Sequence, residues 1–170
     1  MDVDSWKRVF MIAKSYGINH YRFHTWCPPE AAFTAADIIG VYLQPELCNN
    51  GFGFDEYFRA EARRILNAYG NHPSFVMMSM GNETNSSHDK LADLVSNLRV
   101  LDRRHLYAQS SNYECGNSKL ADGDDYWTTM RVAKGKDGAV RGSYSHADLP
   151  LGNVQSGPAG TMMDFSKAIH

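Results

Sequence analysis

Between residues 5 and 111 the apolar positions switch period in a regular way, from a repeat of three to four residues to a repeat of two or a continuous run, and back again. Trp6, Val9, Phe10 and Ala13 are spaced for one face of a helix, with Ser5 as a candidate N-cap and Gly17 as the permissive residue after a last turn near Tyr16. Residues 18–24 then alternate, which predicts a strand with Asn19, Tyr21 and Phe23 on one face and His20, Arg22 and His24 on the other. Pro28 and Pro29 suit the entry to a second helix over residues 30–39, Gly40 ends it, and residues 41–46 read as a strand finishing in the carboxylate of Glu46. A third helix over residues 55–69 turns Phe58, Ala62, Ile65 and Tyr69 inward before Gly70 and Pro73 close it. Residues 75–80 are almost wholly apolar, as suits a parallel strand covered on both faces, and the run stops at Gly81-Asn82-Glu83. Leu91, Leu94, Val95 and Leu98 mark a fourth helix over residues 89–101, and residues 106–111 a further strand. Beyond Asn112 the pattern weakens: residues 126–130 and 139–145 predict strands, and the Gly/Pro-rich residues 149–160 a loop.

Helices alternating with strands through short connections imply a parallel sheet with helices packed outside it, either an open doubly wound sheet or a (β/α)8 TIM barrel. An open nucleotide-binding sheet normally carries a Gly-rich phosphate loop at a strand-to-helix junction, and no GxGxxG or Walker A pattern stands at any of these. The strands instead end in Arg22, His24, Glu46, Asn82 and Glu83. Polar residues gathered at the C-terminal ends of several strands are what a barrel enzyme needs, because its site is built on that face. The expected fold class is therefore α/β, a partial TIM barrel.

Composition narrows the partners. The 170 residues are 43% hydrophobic and 21% charged, which predicts one soluble globular unit. Lys+Arg at 17 against Asp+Glu at 19 leaves no electrostatic footprint for nucleic acid or an anionic membrane surface. The apolar run at residues 75–80 is far shorter than the roughly 20 residues of a membrane helix. Asp2 and Asp4 stand where a signal peptide would be basic, so no export signal is expected and the location is left open. Cys27, Cys48 and Cys115 are odd in number and unpaired in spacing, against a disulfide framework. His88, His105 and His146 have no spacing that converges on a metal, and Asp122-Gly123-Asp124-Asp125 lacks the other positions of a calcium loop. No metal and no cofactor is expected from these residues.

One stretch is more specific. His72-Pro73-Ser74 leads through an apolar strand into Gly81-Asn82-Glu83, preceded upstream by Tyr16-Gly17-Ile18-Asn19-His20-Tyr21-Arg22 and by Ala36-Asp37-Ile38-Ile39-Gly40-Val41-Tyr42-Leu43-Gln44-Pro45-Glu46. In that order the segments resemble the second, third and fourth strands, with their lead-in elements, of the catalytic barrel of glycoside hydrolase family 2, the β-galactosidase, β-glucuronidase and β-mannosidase group. The likeness spans residues 5 to about 111.

The resemblance implies that Glu83 is the general acid/base of a retaining β-glycosidase and that Asn82 hydrogen-bonds the sugar 2-hydroxyl. Both roles make chemical sense. A glycosidic oxygen leaves only as it is protonated, and a 2-hydroxyl contact strengthens as the ring gains oxocarbenium character. In the family the counterpart of Arg22 supports the nucleophile, and a nearby His contacts substrate. This chain reads Arg22-Phe23-His24 where many members read Arg-x-Ser-His, so His24 stands closer to its arginine. Arg22 also suits an ion pair with Glu46, and Glu46 is expected to orient Arg22 or line the subsite. Trp26 suits either a sugar-stacking platform or ordinary core. His72, just before Pro73, reads as a structural hydrogen-bonding residue.

A retaining mechanism needs a second carboxylate about 5–5.5 Å from the first. In the family it ends the seventh strand. Counted on the resemblance, the chain runs from the first helix to the region before that strand, and a whole barrel takes about 250 residues. The expectation is a single truncated barrel domain over residues 1–170 that lacks the nucleophile and is inactive alone. Its partners would be a carbohydrate substrate, the rest of the barrel and β-sandwich domains of the parent protein. A non-catalytic carbohydrate-binding barrel and a purely structural fragment are the alternative readings.

Overall fold

The structure, a computed structural model, describes residues 1–50, 56–84, 88–111, 123–126, 133–134 and 140–141. Helix α1 (Val3–Ser15) begins a turn earlier than the apolar spacing places it: the N-cap is Asp2, whose Oδ1 accepts the Ser5 N–H at 2.8 Å. Val3 packs against the core and extends the buried stripe ahead of Trp6, and an aspartate both caps the helix and suits its positive end. Helix α2 (Glu30–Ile39) has the predicted bounds, because its stop is local: Gly40 adopts a left-handed φ of 73°, and its N–H closes on the Ala36 carbonyl. Helices α3 (Glu56–Tyr69) and α4 (His88–Leu101) follow, and the expected residues Phe58, Ala62, Ile65, Leu91, Leu94, Val95 and Leu98 are buried. Tyr69 is only partly buried, and Leu66 takes the remaining buried place on α3.

Strands β1 (His20–Arg22), β2 (Tyr42–Gln44), β3 (Met77–Ser79) and β4 (Leu106–Ala108) are each three residues long, shorter than the sequence pattern suggests. Strand β1 pairs in parallel with β2, and β3 with β4. Between the two pairs the contact thins to single parallel bridges, Leu43 to Phe75 and Glu46 to Ser79. Past the strand ends two more bridges, Asn50 to Asn82 and Asn82 to Ser111, keep the chains together at one height. The neighbours thus follow chain order, all parallel, with helices between them. Further on, β5 (Ala133–Lys134) and β6 (Val140–Arg141) form an antiparallel pair, β6 falling within the strand expected at 139–145. Tyr126 is not in a strand, and residues 127–130 and 149–160 lie outside the described residues.

Side-chain alternation separates two environments. Tyr21, Leu43, Met78 and Tyr107 join the large core under the helices with Trp6, Phe10, Phe33 and Leu98. Their neighbours one residue along turn to the other face, where Met77 and Ala108 pack with Tyr126 and where Arg22 and Gln44 stand side by side. Each large apolar side chain buried on the helix side contributes about 1.5–3 kcal/mol. Phe33 sits centrally there, stacked on Tyr69 at 4.5 Å and tilted against Phe75 at 5.6 Å. A polar clasp pins α2 to the entry of β3: Asp37 Oδ2 lies 2.6 Å from His72 Nδ1, and its Oδ1 accepts the Ser74 N–H at 2.9 Å. His72 therefore has the structural hydrogen bond expected of it. Among the described residues no helix is long and apolar enough to cross a membrane.

Candidate functional site

The site grows from the arginine that β1 turns away from the helices. Arg22 donates through Nε to Glu46 Oε1 at 2.5 Å and through Nη2 to Glu46 Oε2 at 3.2 Å, the two-pronged pairing that a planar guanidinium makes with a carboxylate. The same Nη2 reaches Asn82 Oδ1 at 2.6 Å and lies 3.2 Å from His24 Nδ1. Asn82 in turn donates from Nδ2 to Asn50 Oδ1 at 2.9 Å. Side chains from the ends of β1, β2 and β3 are thereby joined into one chain, Glu46–Arg22–Asn82–Asn50. Because its oxygen faces a donor and its nitrogen an acceptor, the Asn82 amide has one orientation.

Burial sets the electrostatics. The Glu46 side chain is 0% exposed and that of Arg22 16%. Burial pushes the Glu46 carboxyl above its ordinary range, opposed by the hydrogen bonds and charge of Arg22. Glu46 is thus committed to Arg22. Below the pair, Gln44 donates to Ser111 Oγ at 3.3 Å. Tyr126 is fully buried, and burial together with the fields of Glu46 and Asp124 raises its hydroxyl well above the usual value. Burial also pushes the Asp124 carboxyl up to about 7, against the hydrogen bond it accepts from the Gln109 N–H.

The turn after β3 is held from three sides. Gly81 has φ 138°, and a Cβ there would lie 2.3 Å from the Asn49 carbonyl oxygen, so only glycine fits. The Asn82 N–H donates to that same carbonyl at 2.8 Å, the Glu83 N–H to Ser111 O at 2.8 Å, and the Thr84 N–H to Ser110 Oγ at 3.2 Å. Glu83 itself adopts φ 46°, a left-handed conformation that costs a non-glycine residue about 1–2 kcal/mol. It persists because the flanking backbone is fixed by neighbouring strands, the situation in which strain collects at working sites. Asn82 is buried and Glu83 half-buried.

The structure therefore connects Arg22, His24, Glu46 and Asn82 directly and places Glu83 next along the chain. Trp26 is tied in by its backbone, its carbonyl accepting the Glu46 N–H at 3.3 Å, while its indole is 41% exposed and edge-on to Phe23. His24 is exposed. Sequence reasoning missed Asn50. The available signal was the Asn49-Asn50 pair just past the second strand, at the height where Asn82 ends the third. Among the described residues no group of three or more His, Cys, Asp or Glu is placed to hold a metal ion. What the arrangement offers is the Glu83 carboxyl on a turn whose three successive N–H groups are hydrogen-bonded, beside an oriented amide, a charge-compensated arginine and a partly exposed indole. A carboxyl of this kind can give or take a proton.

No protein-family model and no curated protein matches the sequence. Solved structures do. An FMN-binding β-glucuronidase from Facaelibacterium prausnitzii L2-6 superposes on 79% of this chain and 23% of its own, with a TM-score of 0.69 and 17% identity. A glycosyl hydrolase family 2 member from Bacteroides cellulosilyticus covers 76% of this chain and 19% of its own, with a TM-score of 0.64 and 20% identity. A putative β-galactosidase from Bacteroides fragilis covers 77% and 20%, with a TM-score of 0.65 and 17% identity. The chain thus spans about a fifth of the length of these proteins and is similar to them in fold.

Proposed function

We propose that the chain is part of the catalytic domain of a retaining β-glycosidase of the family 2 type, with consecutive βα units of a (β/α)8 barrel carrying the site at the C-terminal strand ends. The observation that carries this reading is the Asn82 amide, fixed between Arg22 and Asn50 and followed at once by the left-handed Glu83. The fold likeness to family 2 glycosidases supports it.

In this reading Glu83 protonates the departing glycosidic oxygen and then, as carboxylate, takes a proton from the incoming water. The hydrogen bonds of the Glu83 N–H to Ser111 O and of the Thr84 N–H to Ser110 Oγ hold the backbone that carries the carboxyl, which reduces what is lost in ordering it. Asn82 meets the sugar 2-hydroxyl, and its fixed orientation decides which partner it offers. Arg22, neutralised by Glu46, orients Asn82 and braces the mouth. His24 and Trp26 line the sugar subsite, the indole packing on an apolar sugar face. The nucleophile is a second carboxylate about 5–5.5 Å from Glu83. Glu46 is not that group, because it is sealed and bound to Arg22. We assign it to a part of the intact enzyme outside the described residues, together with the strands that complete the barrel.

The test is turnover of aryl and alkyl β-glycosides by the intact enzyme and its Glu83→Gln variant. Loss of general acid/base catalysis predicts a drop of about 10²–10⁴-fold, largest for the alkyl glycoside, whose leaving group most needs a proton. Unchanged turnover removes Glu83 from this role. Sugar affinity without any turnover in the parent supports a non-catalytic binding barrel instead.

A further inference from the structure

Among the described residues, three polar atoms are buried near the Gly81 turn without a hydrogen-bond partner: Nδ2 and Oδ1 of Asn49 and Oγ1 of Thr84. Asn49 is only 1% exposed and Thr84 5%. Both crowd the same side of Gly81, since a Cβ built there would lie 2.8 Å from Asn49 Cβ and 2.8 Å from Thr84 Cγ2. Neither backbone is at liberty to swing these groups into solvent. The Asn49 carbonyl accepts the Asn82 N–H at 2.8 Å, and the Thr84 N–H is bound to Ser110 Oγ at 3.2 Å.

Sealed polar groups without partners are costly and rare in folded proteins, and an internal water making about three hydrogen bonds is the usual remedy. We propose that Asn49 and Thr84 form a binding site for one internal water molecule, which bridges the Asn49 amide and the Thr84 hydroxyl beside Gly81. The donor set selects water. An amide offers one donor and one acceptor type, a hydroxyl serves as either, and water matches both at once. Neither side chain carries a charge to hold an ion, and a substrate hydroxyl has no route to atoms with no exposure. The bridge joins the segment after β2 to the segment after β3, on either side of Asn82 and Glu83. It fastens the turn from within, as the Ser110 and Ser111 contacts fasten it from β4. The inference belongs to the fold and stands apart from the proposed glycosidase activity.

A high-resolution crystal structure of the full chain is expected to show one ordered water within about 3.2 Å of both the Asn49 amide and Thr84 Oγ1. A dry seat, or an Asn49 amide turned to bond Thr84 Oγ1 directly, overturns the proposal. Thermal unfolding gives an independent reading. Thr84→Val keeps the shape and removes one of the water's partners, so Tm is expected to fall by about 2–4 °C. If the hydroxyl has no water to bind, the methyl group is at least as good, and an unchanged or raised Tm overturns the proposal. Asn49→Leu combined with Thr84→Val is expected to cost less than the sum of the two single changes, because one water serves both residues. Full additivity contradicts a shared ligand.

Discussion

Arg22→Met isolates the electrostatic joint of the site. The substitution keeps much of the apolar stem and removes the guanidinium from a carboxylate whose side chain is 0% exposed. Removing one member of a buried ion pair costs about 3–5 kcal/mol, because the other is left charged and unpaired. Arg22 is itself 16% exposed, so water reaches the vacated side, and the lower figure, about 3 kcal/mol, applies. For a domain of this size that is a fall in Tm of roughly 6–12 °C at pH 7. The pH dependence has a definite sign. Burial already holds the folded-state pKa of Glu46 above its unfolded value, and losing Arg22 raises it further. The folded variant then keeps a proton that the unfolded chain gives up, so its stability falls as pH rises through the carboxylate range and the deficit is smaller at pH 5 than at pH 7. Replacing Glu46 by Leu as well removes the stranded charge, and the double variant is expected to regain most of the loss. Thermal unfolding of the parent, the single and the double variant at both pH values is the assay. A deficit below about 1 kcal/mol, a deficit that grows on acidification, or a double variant no more stable than the single one would contradict a buried, stranded Glu46 carboxylate.

Two further changes probe the turn and the opposite end of the second sheet face. Gly81→Ala combines a positive φ of 138° with a Cβ placed 2.3 Å from the Asn49 carbonyl, and should destabilise by about 3 kcal/mol or more; a Tm within a couple of degrees of the parent would contradict the packing described here. The Asp124 carboxyl is pushed up to about 7 chiefly by burial, from an ordinary value of 3.8. Folding therefore favours its protonated form, and this group's contribution to stability declines as pH rises from about 4 through 7. Asp124→Asn keeps an acceptor for the Gln109 N–H and removes the titration. The stability difference between variant and parent, measured in urea at pH 5 and pH 8, should shift in the variant's favour at the higher pH; a difference independent of pH counts against a buried, proton-retaining Asp124.

The elements most legible in the sequence are those whose signals are local. Helix α2 starts after Pro29 and stops at Gly40 because each residue imposes its own backbone angle, and Leu91, Leu94, Val95 and Leu98 are buried because their spacing admits one inner face. Alternation likewise separated Arg22 from Tyr21 and Phe23. The cap of α1 is ambiguous in the sequence because Ser5 and Asp2 are both good caps, and only the packing of Val3 decides between them. The strands are shorter than their apolar runs because a run of suitable residues does not say where the neighbouring chain diverges. What was least visible depends on contacts far apart in sequence. Nothing local to Glu83 predicts a left-handed φ, which goes with the hydrogen bonds of the Glu83 N–H to Ser111 O and of the Asn82 N–H to Asn49 O. Asn50 becomes part of the site only because the chain after β2 and the chain after β3 end at the same height.

Product stereochemistry tests the proposed role of Glu83 as general acid/base. With Glu83→Ala in the intact enzyme, an activated aryl β-glycoside and added azide, the anion should restore turnover by attacking the glycosyl-enzyme from the face that Glu83 normally serves. The expected product is a β-glycosyl azide, of retained configuration. An α-glycosyl azide would make Glu83 the nucleophile, and undiminished hydrolysis without azide would remove it from catalysis.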